Sequence, residues 1–269
     1  MSIRSLVQHP TLRLPSILAL LLVLTGCNTV PETGRQQLNL FSPQEEQQLG
    51  LTAFESMKKD VPLSKNAAAK AQVERVGKRI AAVAAVPNAQ WEFVVFESPE
   101  ANAFCLPGGK VGVYSGILPI CQGDVGLAVV IGHEVAHAVA RHGGERMTTA
   151  AGINLIGQVG STYMGRTQYA RYLPLATQAY GVGAQWGVAL PHSRAQESEA
   201  DEIGLIYMAR AGYDPKAAVG FWERFAAYNG KRDGASTAWF LRTHPTDADR
   251  IARLRELLPR AEAQFKPAP

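Results

Sequence analysis

The sequence predicts an α+β fold: a mainly helical domain carrying one small β-sheet. Three observations lead there. Helix signals recur in six segments, at 43–60, 66–85, 124–141, 193–212, 214–230 and 243–258. Strand composition is confined to 91–98 and 102–118. The stretch "VVIGHEVAHAVARH" (129–142) sets two histidines four residues apart on one of those helices. About 240 residues beyond the N-terminal leader, in a chain with 46% hydrophobic content, suffice for a single core.

Residues 1–26 have the layout of a secretory leader: Arg4 and Arg13 without an acid, then the short apolar run "LPSILALLLVL". The leader ends in "LTGC", which resembles a bacterial lipoprotein signal with Cys27 as the lipidated residue. The alternative is a plain signal cut near Gly26. By the same resemblance Asn28, in place of Asp, favours the outer membrane over the inner. Residues 27–41, polar and turn-rich, are expected to be a tether. The domain is expected over 42–261, with a frayed tail over 262–269.

Ser42, Pro43 and Glu45 form a capping box that opens the first helix. The second helix, 66–85, puts Val73, Val76, Ile80 and Val83 on one face. "WEFVVFES" (91–98) alternates as a strand, and 102–118 reads as two short strands joined at Pro107-Gly108-Gly109. The histidine helix runs from about Asp124 to Arg141, stopped by Gly143-Gly144. Residues 150–190, rich in Gly and Ala, read as one or two loosely packed helices, a lid or plain core. Gly212 ends the next helix, Asp214 caps the one after, and a glycine-bearing loop (230–236) leads to the last.

Without the leader's two arginines the formal charge falls from +4 to +2. No basic stripe interleaves with aromatics, so no nucleic-acid partner is expected. No second apolar run reaches the length of a membrane helix. If Cys27 carries lipid, Cys105 and Cys121 remain; a bridge between them closes a loop of about 16 residues and contributes roughly 3 kcal/mol. Two buried thiols are the equal alternative.

His133 and His137 lie about 40° apart around a helix and project together, as two ligands of one zinc ion must. Glu134 lies about 100° round, placed to serve a bound water instead of the metal. With six histidines in 269 residues, a chance match to this pattern is roughly a one-in-a-hundred event. A catalytic zinc takes a third protein ligand. The extension H-E-x-x-H-x-x-G-x-x-H fails here, because Ala140 and Gly143 stand at its glycine and final histidine positions. His142 projects to the opposite face as a solvated helix-end residue. "ESEAD" (197–201) is the better source: Glu197 and Asp201 share a face that continues through Gly204, Leu205 and Met208. Carboxylates on an inward face need partners: Glu197 would bind zinc, and Asp201 would accept from a ligand histidine. Small residues (Ala136, Ala140, Ala200, Gly204) would let the helices approach. A surface helix with an acidic first turn is the alternative. Glu199 does not share the face of Asp201, so Glu199→Ala should leave zinc near normal.

In order along the chain, "TGRQQLNLFSPQEEQQLG", "NAFCLPGGKVGVYSGIL", "IGHEVAHAVARHGGER", "SRAQESEADEIGLIYMARAGYDP" and "RTHPTDADRI" resemble the zinc metallopeptidase family of the CAAX prenyl endopeptidase, HtpX and BepA-type enzymes. The resemblance implies a zincin-like metallopeptidase fold, one zinc ion per chain on His133, His137 and Glu197, and Asp201 behind them. The membrane helices of the first two branches and the helical-repeat domain of the third are missing, so functions resting on them do not carry over. Cys105 stands where many members have a small residue. Zinc acidifies a water and polarises the scissile carbonyl, and Glu134 moves the proton. The resemblance points to His244 or Arg250 as oxyanion donor, the alternative being helix punctuation by Pro245 and Thr246. It also points to Asn102-Ala103-Phe104 as an edge strand on which an extended peptide lies, the alternative being an ordinary hairpin strand.

The expected protein is a lipid-anchored endopeptidase on the periplasmic face of the outer membrane. It would cleave misfolded or unassembled envelope polypeptides, with outer-membrane assembly machinery as a further partner. The rival is a chaperone-like binding lipoprotein whose zinc is structural, closed by His244 as fourth ligand. His244 is also expected to gate an enzyme by resting in the open metal position.

Overall fold

A computed structural model describes residues 27–149, 193–230, 244 and 248–267. The expected leader, the 150–190 segment, the 230–236 loop after its first residue and the Pro245–Thr246 punctuation lie outside the described residues.

Strands β1 (Cys27–Thr29) and β2 (Gln36–Leu38) pair antiparallel with Cys27 opposite Leu38. The expected tether is therefore a folded hairpin. Its polar side chains are used inward: Gln37 donates to the Ala140 carbonyl at 2.8 Å and Arg35 reaches Glu199 at 2.8 Å. Polarity there serves buried partners instead of solvent.

Helix α1 (Pro43–Asp60) begins with the expected capping box, the Ser42 hydroxyl accepting from Glu45 N–H while Glu45 accepts from Ser42 N–H. In α2 (Ala67–Ala81) the Asn66 side chain caps the start, and Val73, Val76 and Ile80 are buried as the spacing predicted. A three-stranded sheet follows: β3 (Glu92–Phe96), β4 (Ala103–Leu106) and β5 (Lys110–Tyr114), in spatial order β3-β5-β4. β3 runs parallel to β5, and β4 pairs antiparallel with it across Pro107-Gly108-Gly109. Both glycines take positive φ, +85° and +84°, which the tight reversal requires.

A short helix α3 (Leu118–Cys121) leads into α4 (Asp124–Val139), buried on all sides from Gly126 nearly to its end, as a central helix should be. α4 stops earlier than Gly143-Gly144. Ala140 caps it, Arg141 takes a left-handed φ of +54°, and residues 142–149 start a new helical segment. A left-handed arginine costs roughly 1–2 kcal/mol, offset by its hydrogen bonds to Glu46, Asn28 and the Phe41 carbonyl.

Helices α5 (Arg194–Arg210), α6 (Ala217–Gly230) and α7 (Ala248–Glu262) complete the mainly helical α+β fold. Gly212, at φ +81°, ends α5 as expected. The tail is not frayed at Glu262: Phe265 packs on the core and Lys266 N–H donates to the Ala209 carbonyl. No helix of the described residues is long and apolar enough to cross a membrane.

α4 and α5 pack backbone to backbone. A Cβ added at Gly204 would sit 3.0 Å from His133 N, and one at Gly132 would sit 3.0 Å from Gly204 O. Ala136, Ala140 and Ala200 are fully buried nearby. Because the neighbours are main chain they cannot yield cheaply, so Gly204→Val should lower the unfolding free energy by about 1–3 kcal/mol. Urea unfolding of the variant checks this, and unchanged stability would mean the helices do not need that approach.

Cys105 and Cys121 are free thiols, not a disulfide. Cys105 lies on β4, and the chain between them turns through β5 and two helical segments that carry Cys121 to the end of α3. Burial pushes the Cys121 thiol up to about 12.

Candidate metal centre

α4 presents His133, Glu134 and His137, α5 presents Glu197 and Asp201, and His244 and Arg250 close the site from the C-terminal side; all are buried. The His133 and His137 Nε2 atoms lie 3.1 Å apart. Glu197 brings Oε2 within 3.4 Å of the first and Oε1 within 3.3 Å of the second. His244 Nδ1 lies 2.8 Å from Glu197 Oε1 and 3.3 Å from His133 Nε2. One ligand atom from each of these four residues lies within 4.8 Å of all the others.

These spacings fit a zinc ion. Ligands about 2.0–2.1 Å from a tetrahedral centre stand roughly 3.3–3.4 Å from one another, close to the distances found. The donor set, imidazoles and one carboxylate, suits zinc. Glu134 is outside the ligand set, with Oε1 buried, free of any hydrogen bond, and 3.6 Å from His244 Nε2. Burial raises its carboxyl above the usual range, against the pull of His244 and His133. A buried carboxylate with one oxygen free of hydrogen bonds and a raised affinity for protons is what a water-activating base needs.

Asp201 lies against His133, a candidate ligand. Its Oδ1 lies 3.0 Å from His133 Nδ1, so it accepts that N–H and leaves Nε2 for the metal. Burial would raise the Asp201 carboxyl, but the Arg250 charge and the His133 hydrogen bond hold it below its usual value. Glu197 is likewise held low despite burial, first by the charge of His244, whose Nδ1 lies 2.8 Å from Oε1.

Arg250 is not placed as an oxyanion donor. Its guanidinium forks onto Asp201, Nε to Oδ2 at 2.9 Å and Nη2 to Oδ1 at 2.7 Å. Nη1 lies 3.1 Å from Glu197 Oε2, and the plane stacks 3.6 Å from the Trp222 ring. It neutralises and positions the two carboxylates from behind.

The strand residues divide. Tyr114 N–H donates to the Asn102 carbonyl at 2.9 Å, which makes Asn102–Tyr114 a hydrogen-bonded pair. By antiparallel alternation Phe104 also faces β5, while the backbone groups of Ala103 and Cys105 point to the outer edge. No strand among the described residues pairs along that edge. β4 packs on α4, near enough that the Glu134 charge, after burial, helps raise the Cys105 thiol. The Phe104 ring packs among Phe54, Phe96 and Tyr114.

Four functional neighbours escaped the sequence reading. His142 is fully buried against His137, not solvated. Helical projection from His133 placed it wrongly because the left-handed Arg141 resets the phase. Glu199, Arg35 and Trp222 had no local signal, since their partners are distant in sequence.

The model of the family described as Peptidase family M48 matches residues 67–258. The chain is 38% identical over 245 residues to "Mitochondrial metalloendopeptidase OMA1" of Schizosaccharomyces pombe, covering 90% of this chain and 69% of that protein. It is 39% identical over 181 residues to the Saccharomyces cerevisiae protein of the same description, covering 66% of this chain and 50% of that protein. It is 25% identical over 233 residues to the "Beta-barrel assembly-enhancing protease" of Escherichia coli, covering 86% of this chain and 47% of that protein. These likenesses overturn the expected localisation on the periplasmic face of the outer membrane: the relatives at 38 and 39% identity are described as mitochondrial, and the bacterial one is more distant.

Proposed function

The chain belongs to peptidase family M48 and is a zinc metalloendopeptidase; from that premise we propose that it cleaves unfolded polypeptide segments laid in extended form along β4. The observation that carries the substrate class is the outer edge of β4, where the backbone groups of buried Ala103 and half-buried Cys105 face away from β5, beside α4. Strand addition recognises main chain, and main chain is available only where a substrate is extended.

His133, His137 and Glu197 would hold the zinc ion, which when bound would supply Lewis acidity towards a water and the scissile carbonyl. Glu134 accepts the water's proton at its carboxylate and returns it to the leaving amine. Asp201 and Arg250 keep the ligand geometry fixed through the reaction.

His244 is a resting gate. Its Nδ1 stands among the ligand atoms, where it would take the position a catalytic water needs, while Nε2 faces Glu134. The same four-ligand set favours a second reading, a structural zinc in a binding protein. One experiment tests both. Wild type and His244→Ala are given a protein in its unfolded and folded forms. The unfolded form should be cut and the folded form spared. His244→Ala should cut faster, by roughly tenfold if the closed form holds about nine-tenths of the molecules. Slower cutting by the variant would make His244 a transition-state donor. No cleavage by either protein would leave the structural reading.

A further inference from the structure

We propose that Glu199, acting through His142, is a positioning residue for the metal ligand His137, and that the N-terminal hairpin holds Glu199 in place. The inference rests on the metal-site reading above and goes beyond the ligands themselves.

The contacts form one chain. His137 Nδ1 lies 2.8 Å from His142 Nδ1, and His142 Nε2 lies 2.9 Å from Glu199 Oε2. A carboxylate only accepts, so His142 carries its proton on Nε2 and donates it to Glu199. His142 Nδ1 is then an acceptor, which makes His137 the donor at Nδ1. That tautomer leaves the His137 Nε2 lone pair directed into the metal cluster.

The two ligand histidines of α4 are thus oriented alike but by different lengths of chain. Asp201 touches His133 directly, at 3.0 Å. Glu199 reaches His137 across an intervening imidazole. The helix phase explains the difference: Glu197 and Asp201 share the inward face of α5, whereas Glu199, two residues from each, points towards the 142–149 segment.

The hairpin supplies the outer end. Arg35 Nε donates to Glu199 Oε2 at 2.8 Å, and the Thr33 hydroxyl donates to Glu199 Oε1. Arg35 Nη1 and Nη2 also fork onto Glu145, at 2.8 and 3.1 Å, in the segment that carries His142. Gln196 Nε2 donates to the same Glu145 carboxylate at 2.7 Å, tying in α5. One arginine of the hairpin therefore fixes both the carboxylate and the backbone that bears the imidazole.

The test measures zinc binding to the full chain by competition with a chelator, alongside urea unfolding of the zinc-free protein. Wild type should bind one zinc. Glu199→Ala should weaken zinc by roughly 10–100-fold, the usual effect of removing the hydrogen-bond partner of a ligand. Glu199→Gln keeps an acceptor oxygen for His142 and should stay within a few-fold of wild type. His142→Phe should match Glu199→Ala, and adding Glu199→Ala to it should cost no further affinity, because the connection is already cut. A purely structural role for Glu199 predicts instead that Gln and Ala weaken folding alike and zinc not at all. Wild-type zinc affinity in Glu199→Ala, or additive losses in the double variant, would overturn the proposal. If Glu199→Ala does not fold, Glu199→Gln against His142→Phe decides by the same comparison. Failure of wild type to bind zinc would overturn the metal-site reading itself, and the relay with it.

Discussion

Glu134→Gln is expected to reduce peptide cleavage by roughly 10²–10⁴-fold, the range general acid–base groups contribute, while leaving one zinc per chain. The amide has the shape of the carboxylate and cannot accept a proton. Glu134 is one residue from His133 on α4, yet its carboxylate is not among the four residues whose atoms converge on the metal position. Its buried Oε1 takes no hydrogen bond, and burial keeps its proton affinity above that of an exposed glutamate. Removing it should therefore spare binding and remove proton transfer. Metal content per chain and turnover on an unfolded polypeptide measure the two halves separately. Equal cleavage by wild type and variant would dismiss Glu134 as the base. Loss of zinc would make it a ligand.

Glu197→Ala is expected to lose zinc at concentrations where wild type is saturated. Glu197 contributes the site's carboxylate, touching His133, His137 and His244 at 3.4, 3.3 and 2.8 Å. Its removal leaves three imidazoles with no carboxylate in the ligand set, and Arg250 with one carboxylate fewer. Arg250 keeps its fork to Asp201. The folding cost should therefore stay below the roughly 3–5 kcal/mol of leaving a buried charge wholly uncompensated. Zinc analysis and unfolding of the zinc-free protein give the two numbers. The contrast with Glu199→Ala is informative, since both glutamates lie on the first turns of α5. Removal at 197 should abolish binding, and removal at 199 should weaken it. The sequence alone predicted indifference at 199, because it assigned no partner to that side of the helix.

What the sequence determined by itself is everything written within one or two turns of backbone. The His133–His137 spacing puts both imidazoles on one face because the helical period leaves no other choice, and the same period joins Glu197 to Asp201. Ser42 with Glu45 opens α1 by a capping box. Pro107-Gly108-Gly109 turns the β4–β5 hairpin because two successive residues there need positive φ. The tertiary structure decided the rest. Arg141 leaves the helical region under the pull of Glu46, 95 residues away, and that one dihedral swings His142 from the surface onto His137. Residues 27–41 look like a tether because their charges and amides are polar, but Arg35 spends its polarity on Glu145 and Glu199, more than a hundred residues on. Arg250 has the chemistry of an oxyanion donor, and its packing against Trp222 and Asp201 gives it a different task. Local periodicity says which side chains share a face. Which distant charge that face will meet depends on how the helices pack, and the Gly132–Gly204 approach sets that distance for the metal centre.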